Sequence, residues 1–251
     1  MEFDLKPARD FGLPLAQRLA SQSREIGLVS TLAHGSFRQL VRLYLRAVHR
    51  LSVRGLEHLP APPFVLIANH SSHLDAITLA AALPLRLAER AYPIAAADTF
   101  FTSLASSLFA AYAINALPLW RKGTKPADLA AFRARLIEDR LIYILFPEGT
   151  RSRTGTMARF QPGIGAFVAG TPVPVVPAFL DGAFAALPPQ RRLPRPVKLR
   201  LAIGAPLTFA NTANDRKGWL TVARSCEDAV RRLGGLPPAP DAAAAATNKP
   251  I

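Results

Sequence analysis

The sequence predicts one α/β domain, in which helices flank a central mixed β-sheet and an amphipathic helical segment comes first. One observation is a series of short apolar runs, such as 64–68 and 141–146, which have the length of buried strands. Another is the set of amphipathic stretches between them, because strands that alternate with helices build a sheet with helices on its faces. The third is size and composition. The 251 residues are 50% hydrophobic and 19% charged, which suffices for one large core and excludes a disordered chain.

The N-terminal part predicts contact with a membrane. Residues 1–25 have weak periodicity and predict a lead-in or a short helix. In 37–51, at 100° per residue, an apolar arc holds Phe37, Leu40, Val41, Tyr44, Leu45, Val48 and Leu51, and a cationic arc holds Arg38, Arg42, Arg46 and Arg50. This pattern is typical of a helix in a membrane interface, with its arginines on the lipid phosphates. The alternative is a surface helix packed on its own domain.

The rest of the chain predicts alternating strands and helices without an internal repeat. We expect strands at 53–57, 64–68, 93–97, 117–120, 141–146, 173–179 and 197–203. We expect helices at 75–83, 128–139, 165–168 and 214–233. The Pro- and Ala-rich end predicts a disordered tail. The chain is thereby divided into an N-terminal helical segment (1–52), a folded domain (53–235) and the tail (236–251).

An uncharged stretch covers residues 99–120. Its length favours a membrane-spanning helix. Several hydroxyl and amide side chains within it, together with Pro118, favour a buried or half-inserted helix instead. We expect the buried or half-inserted form.

Charge and cysteine content restrict the partners and the compartment. A net charge of +14 on so apolar a chain indicates an anionic partner, which is a nucleic acid, an anionic lipid surface or a phosphorylated substrate. The single Cys226 excludes an internal disulfide and a cysteine-ligated zinc site, and it fits a reducing cytosol. The two acidic residues within the first six predict no secretory signal.

The first candidate for chemistry is the segment Asn-His-Ser-Ser-His-Leu-Asp, which follows an apolar strand and ends at Asp75. A histidine with a carboxylate to orient it is a minimal general base, because the carboxylate selects the ring tautomer and stabilises the imidazolium. We therefore predict that His70 and Asp75 meet where the strand turns into a helix. Two other interpretations stay open. Ser71 or Ser72 can cap the helix, and His70, His73 and Asp75 can hold zinc if further ligands come from elsewhere.

The second candidate is Phe-Pro-Glu-Gly-Thr-Arg-Ser at 146–152, again directly after an apolar strand. Arg151 and Arg153 supply planar donors for a phosphate. Gly149 lets the backbone approach a ligand, and Glu148 can orient an arginine or a substrate hydroxyl. The alternative is a turn that ends the strand and carries a solvent-exposed salt bridge.

Two further segments carry weaker signals. The basic step that begins at Arg121 is either a phosphate contact or a basic loop. The proline-stiffened strand that includes Pro177 is either ordinary core or the wall of an acyl tunnel.

Together, and in this order, these segments resemble the glycerolipid acyltransferases, typified by the bacterial lysophosphatidic acid acyltransferases, over about residues 50–210. The family's first block, N-H-x-S-x-x-D, is matched by Asn69, His70, Ser72 and Asp75. Its third block, F-P-E-G-T-R-S, is matched by Phe146, Pro147, Glu148, Gly149, Thr150, Arg151 and Ser152. Its fourth block, an aliphatic pair before a proline, is matched by Val175, Val176 and Pro177. The second block is matched only at Arg121, since Trp120 stands where an aspartate is common.

The resemblance implies an O-acyltransferase. In this family the histidine deprotonates the hydroxyl of a lysolipid, which attacks the thioester of an acyl donor. That implies His70 as the base and Asp75 as the residue that orients it. The implied substrate contacts are Asn69, Ser72, Arg121, Phe146, Pro147, Glu148, Gly149, Thr150, Arg151 and Pro177.

The resemblance also implies partners and a location. The acceptor is lysophosphatidic acid, the donor is acyl-CoA or acyl carrier protein, and the product is phosphatidic acid. Neither a metal nor a cofactor is expected. The protein is expected at the cytoplasmic face of the inner membrane, as a peripheral or monotopic protein on an anionic lipid surface.

Two other functions compete with this one. The first keeps the chemistry and changes the acceptor to another lysolipid, such as lyso-ornithine lipid. The second is a non-catalytic basic protein that binds lipid or nucleic acid. No nucleic-acid-binding motif accompanies the charge, so we do not expect nucleic acid as a partner.

Overall fold

The computed structural model describes residues 9–10, 12–22, 24–25, 27–120 and 126–239. Arg121 and the end of the chain from residue 240 lie outside the described residues. The expectations for the second block and for most of the tail concern those parts. Leu236, the first residue of the predicted tail, packs against the core.

Seven strands form one mixed sheet, as predicted. They are β1 (Ser52–Arg54), β2 (Phe64–Ala68), β3 (Ala91–Ala96), β4 (Leu117–Leu119), β5 (Ile142–Leu145), β6 (Val175–Asp181) and β7 (Arg200–Ile203). Their order across the sheet is β1-β7-β6-β2-β5-β3-β4. Neighbouring strands are parallel except for β6 and β7, which are antiparallel.

Helices cover both faces of the sheet. They are α1 (Leu15–Leu19), α2 (Leu28–Ala47), α3 (Leu74–Ala82), α4 (Leu85–Ala88), α5 (Ala97–Phe100), α6 (Leu104–Leu108), α7 (Pro126–Glu138), α8 (Gly163–Val168), α9 (Ala183–Ala186) and α10 (Arg216–Leu233). A 3-10 turn at Leu56–His58 and a π turn at Phe109–Ala113 complete the described secondary structure.

The central strand β2 shows why its sequence is apolar throughout. Successive side chains of a strand point to opposite faces, and both faces of this sheet are covered. Phe64 and Leu66 pack in one cluster with Leu79 of α3. Val65 and Ile67 pack in the other cluster, which also includes Phe132, Phe167 and Val222 from α7, α8 and α10. All five residues of β2 are buried.

The buried or half-inserted helix expected in the 99–120 stretch is wrong, whereas the strand expected at 117–120 is present as β4. The segment contains the end of α5, then α6 and the π turn, and then the whole of β4. Ser103 begins α6 because its side chain accepts a hydrogen bond from the Ser106 backbone N–H (3.2 Å). The hydroxyl groups of the stretch therefore divide it into short turns. Among the helices that the structure describes, none is both long and apolar enough to cross a membrane.

The N-terminal helix differs from its expected form in range and in orientation. It runs over Leu28–Ala47 rather than 37–51. Arg38, expected on lipid phosphates, is buried and donates from Nη1 to the Leu83 carbonyl at 3.3 Å. One face of this helix is buried, with Leu45 in the core. The opposite face carries Leu40 and Leu43, which are about two-thirds exposed. Periodicity gives the arcs of a helix but not which arc the rest of the domain covers.

Candidate active site

Two adjacent parallel strands place the two main motifs side by side. β2 and β5 are paired in register, with Ile67 opposite Leu145. The chain reaches His70 three residues after Ile67 and Glu148 three residues after Leu145. Because the carboxyl ends of parallel strands meet at one edge of the sheet, the two segments converge there. The backbone N–H of Ser152 donates to the His70 carbonyl at 2.8 Å, which joins the segments directly.

His70 and Asp75 form the predicted pair. His70 Nδ1 lies 2.9 Å from Asp75 Oδ2. The same oxygen accepts the backbone N–H groups of Ser71 (2.6 Å) and Ser72 (2.8 Å). A carboxylate oxygen that faces two backbone donors acts as an acceptor, so Nδ1 is assigned as the third donor and Nε2 carries the lone pair. The ring is therefore in the tautomer that a general base needs.

The other two interpretations of this segment also have an outcome. Neither serine is the N-cap residue of α3, which is His73 and has no side-chain cap. The Ser72 hydroxyl instead accepts the Leu74 backbone N–H (3.2 Å) and donates to the Leu187 carbonyl (2.9 Å). His73 forms no hydrogen bond with the pair in the described ranges and packs edge-on against Phe100, with ring centroids 6.5 Å apart. In the parts of the chain that the structure describes, no three His, Cys, Asp or Glu side chains form a group suited to a metal ion.

The His70 ring is held by a stacking contact on its face as well as by the Asp75 contact at Nδ1. It stacks on Phe146 with centroids 4.1 Å apart and an angle of 20° between the planes. Its side chain is 20% exposed, while Asp75 is fully buried. No hydrogen bond joins Nε2 to any residue in the described ranges. The ring thus presents a lone pair to solvent while its other atoms are held.

Glu148 connects the two motifs through backbone contacts. Its Oε1 accepts the His70 backbone N–H at 2.6 Å, and its Oε2 accepts the Ala158 backbone N–H at 2.8 Å. Burial raises the pKa of Glu148 to about 7. The two N–H donors offset part of this increase, and the negative charges of Asp75 and Glu227 add to it. Glu148 therefore holds His70 and the 149–160 loop together, and its role as a substrate contact stays a prediction.

The loop after Glu148 brings polar groups to the same edge. Gly149 has φ +76°, a conformation that glycine adopts without strain, and the loop turns there. Thr150 is exposed, and Arg151 is half-buried. Arg151 Nη1 is buried and has no hydrogen-bond partner among the described residues. Pro147 anchors the far end of the loop, because its carbonyl accepts the Gln161 backbone N–H at 2.7 Å.

Helix α10 braces this loop from outside both motifs. Glu227 is 4% exposed, and its Oε2 accepts the Phe160 backbone N–H at 3.1 Å. Its Oε1 accepts Arg231 Nε at 2.8 Å, and Arg231 Nη2 lies 3.5 Å from the Met157 carbonyl. Sequence reasoning missed this pair, because a Glu and an Arg four residues apart on a helix usually form an exposed ion pair. Nothing in the sequence marks the pair as buried.

Two remaining motif residues lie near the site in positions that stabilise the sheet. Asn69 donates from Nδ2 to the Leu180 carbonyl (3.1 Å), and its Oδ1 accepts the Leu180 N–H (2.8 Å). This links the end of β2 to β6. Pro177 is buried in β6 opposite Ile67. Whether Asn69, Ser72 or Pro177 also contacts substrate stays a prediction.

The chain is similar to known acyltransferases. Residues 50–181 match the family model described as Acyltransferase. Human 1-acyl-sn-glycerol-3-phosphate acyltransferase alpha is 28% identical over 146 residues, which are 57% of this chain and 50% of that protein. The chloroplastic 1-acyl-sn-glycerol-3-phosphate acyltransferase BAT2 of Brassica napus is 31% identical over 143 residues, 56% and 40% of the two chains. The chain thus spans about half the length of these relatives or less.

The fold has a counterpart among solved structures. The 1-acyl-sn-glycerophosphate (LPA) acyltransferase PlsC from Thermotoga maritima superposes with a TM-score of 0.61 at 22% identity, covering 82% of this chain and 79% of that one. The match to the family model covers more than half of the 251 residues and includes both motifs and the sheet edge where they meet. On this evidence, the chain belongs to the acyltransferase family.

Proposed function

We propose that the protein transfers a fatty acyl group from a thioester donor to the free hydroxyl of lysophosphatidic acid, giving phosphatidic acid. The observation that carries this proposal is the 2.9 Å contact between His70 Nδ1 and Asp75 Oδ2, which leaves Nε2 open at the sheet edge. The names of the relatives support the choice of acceptor. The acyl donor is acyl-CoA or acyl carrier protein.

The chemistry needs one base and no covalent intermediate on the protein. His70 Nε2 takes the proton of the lysolipid hydroxyl as its oxygen bonds to the thioester carbon. The tetrahedral intermediate collapses, the C–S bond breaks, and the thiolate leaves with the proton from the imidazolium. Asp75 stabilises the imidazolium and prevents the ring from rotating. Two reactants held at one edge of the sheet react without the entropy loss of a free encounter.

Arg151 is our candidate for binding the acceptor phosphate. Its buried Nη1 has an N–H group without a partner among the described residues, and an unpaired buried donor is costly. A phosphate oxygen satisfies that donor, and a guanidinium binds two such oxygens at once. Gly149 and Thr150 precede Arg151 on the same exposed turn and complete the acceptor site. Arg121, outside the described residues, remains a second candidate.

The outward face of α2 supports a position on the membrane surface. Leu32, Leu40 and Leu43 are 62%, 67% and 66% exposed and lie within an arc of about 80°. Arg46 is exposed beside this arc, which is the arrangement of an interfacial helix. We propose peripheral binding at the cytoplasmic face of the inner membrane. The buried free thiol of Cys226 is compatible with that compartment.

The test is acyl transfer to lysophosphatidic acid in vesicles, with palmitoyl-CoA and palmitoyl-acyl carrier protein as donors. His70→Ala is expected to lower kcat by about 10²–10⁴-fold, the usual contribution of a general base. His73→Ala, three residues along the same segment, is the matched control and is expected to keep wild-type activity. Asp75→Asn is expected to lower kcat while keeping the tautomer, because its amide oxygen can replace Oδ2 but brings no charge.

Different failures have different meanings. Turnover that survives in folded His70→Ala removes His70 as the base. A folded wild type that acylates no lysophosphatidic acid with either donor contradicts the acceptor. Lyso-ornithine lipid is then the next acceptor to assay, and salt-dependent DNA binding without any transfer would favour a binding protein.

A further inference from the structure

A second cationic site lies at the edge of the sheet opposite the active site. Residues 59–62 precede β2, residues 86–90 precede β3, and Arg140 comes two residues before β5. These strands are neighbours and run parallel, so their amino-terminal ends lie side by side. The five residues of β2 separate this edge from His70 by about 16 Å at 3.3 Å per residue. The site is therefore distinct from the catalytic edge.

The three connections enclose a groove with a volume of about 300 Å³. Its lining residues are Leu59, Pro60, Ala61, Pro62, Arg86, Leu87, Arg90 and Arg140. The lining thus combines an apolar floor with three guanidinium groups and contains no acidic side chain. All three arginines are exposed, and none forms an ion pair with a residue in the described ranges.

Three acidic residues adjoin the groove arginines in the sequence, Glu89 before Arg90 and Glu138 and Asp139 before Arg140, and none of them belongs to the lining. Asp139 precedes Arg140, but Arg9 holds both of its carboxylate oxygens at 3.0 Å. Arg135 Nε also donates to Asp139 Oδ2 at 3.3 Å. Arg90 reaches only the Asp139 backbone carbonyl, at 3.4 Å. Among the described residues, no acidic side chain lines the groove or forms an ion pair with its three arginines.

The backbone conformation at Arg140 determines where its side chain leaves the end of α7. The Leu141 N–H donates to the Leu136 carbonyl and the Arg140 N–H to the Ile137 carbonyl, the two hydrogen bonds of a Schellman motif that ends α7. Arg140 is the residue with positive φ in this motif (+52°), where glycine is the usual residue. An L side chain there adds strain, as it also does at Arg50, which lies outside the groove (φ +47°). The side chain that replaces glycine here faces the groove.

We propose that this groove binds a phosphate-bearing ligand, with Arg86, Arg90 and Arg140 on the phosphate and the apolar floor against the rest of the molecule. Three guanidinium groups around one space match the several oxygens of a phosphate, and each can donate two parallel hydrogen bonds. The phosphate is that of a lipid headgroup or of a soluble phosphorylated compound, which share this chemistry. The site goes beyond the acyl-transfer reaction, and its binding can be measured without turnover.

The experiment compares Arg140→Gly with Arg50→Gly. Arg50 also has a positive φ (+47°) and is exposed, but it lies outside the groove lining. Both variants remove one positive charge and one strained side chain, so both are expected to fold with a Tm at least equal to wild type. Arg86→Gln tests the groove without changing its backbone. Each variant is made with and without Arg151→Gln, which removes the candidate phosphate ligand that we propose for the active site.

The probes are inorganic phosphate and monomeric short-chain phosphatidic acid, with calorimetric Kd and ligand-dependent Tm as readouts. Arg140→Gly and Arg86→Gln are expected to bind about tenfold more weakly than Arg50→Gly, the effect of losing one charged hydrogen-bonded contact. Weaker binding of both probes supports the groove as a site for the phosphate group itself. Weaker binding of phosphatidic acid alone supports it as a site for a lipid, and weaker binding of inorganic phosphate alone supports it as a site for a soluble ligand. Equal binding of both probes by Arg140→Gly and Arg50→Gly overturns the proposal.

Discussion

Asp75 and Glu148 are both buried carboxylates, but their different hydrogen-bond partners give them different roles. Asp75 gathers three donors on Oδ2, one of them the His70 ring. Glu148 accepts one backbone N–H on each oxygen and touches no side-chain donor in the described ranges. Asp75 therefore acts on the tautomer and charge of the histidine. Glu148 acts on the position of the backbone that carries it.

The raised pKa of Glu148 predicts a pH-dependent contact at the 149–160 loop. Above about pH 7 both oxygens accept as a carboxylate, while below it one oxygen carries a proton and becomes a weaker acceptor. The Ala158 amide nitrogen is thus expected to show a chemical-shift titration with a midpoint near 7 by NMR. Glu148→Gln, which keeps the shape without the titration, is expected to abolish that step.

The same shift has a defined sign for stability. The folded state holds the Glu148 proton more tightly than the unfolded state does between pH 4.5 and about 7. The contribution of this group to the free energy of unfolding therefore decreases as the pH rises through that window. Denaturant titrations should show wild type losing stability relative to Glu148→Gln over this range. A constant difference between the two proteins would contradict the raised pKa.

At the scale of elements, what sequence could predict depended on whether neighbouring residues carried the information. β2, β5 and the turn from β2 into α3 followed from local apolar runs and the polar residues after them. Which face of α2 is buried did not follow from the sequence. Arg38 is buried and donates to the carbonyl of Leu83, which lies far from it in the sequence. The brace by Glu227 was equally unpredictable, since only tertiary packing places α10 against the loop.

That brace predicts an effect on catalysis from a residue outside both motifs. Glu227→Ala leaves the buried Phe160 N–H without its acceptor, which costs about 1–3 kcal/mol in the free energy of unfolding. We expect kcat for acyl transfer to fall about tenfold as the loop that carries Arg151 loosens. Steady-state kinetics and denaturant unfolding measure the two effects.

Two variants on the same helix sharpen the result. Glu227→Gln keeps an acceptor for Phe160 and is expected to restore most of the activity. Asp228→Ala removes the neighbouring acid, which accepts the Ala239 N–H, and is expected to leave kcat unchanged. Equal losses of kcat in Glu227→Ala and Asp228→Ala would show that the effect is general to α10.

On the scale of the whole molecule, charge and apolar surface are both unevenly distributed. The net charge is +14, yet the outward arc of α2 carries three exposed leucines with an arginine beside it. Near that arc, Phe109 packs edge-on against Phe37 of α2 with centroids 5.9 Å apart and remains about half exposed. An exposed apolar face with basic residues beside it suits the interface of an anionic membrane, where acyl chains lie beneath charged headgroups.

This distribution predicts which leucines control membrane binding. Leu40→Ser with Leu43→Ser is expected to weaken binding to phosphatidylcholine–phosphatidylglycerol vesicles by about 10²-fold or more. The reason is that burying each leucine contributes about 1.5–3 kcal/mol. Co-sedimentation with vesicles measures the change.

The matched control uses leucines that are just as exposed elsewhere. Leu193 and Leu220 are 75% and 51% exposed, and neither belongs to α2. Leu193→Ser with Leu220→Ser is expected to bind vesicles like wild type. If both double variants lose the same affinity, the membrane face is not on α2.

The contacts around His70 also determine when the protein becomes active as it folds. Asn69 is bonded to a residue 111 positions later, and Ser72 to a residue 115 positions later. Contacts between such distant parts of a chain form slowly, because the long loop between them must be ordered first. During synthesis on the ribosome, the contact of Ser72 with Leu187 therefore cannot form until residue 187 has emerged. In refolding, activity returns after compaction rather than together with it.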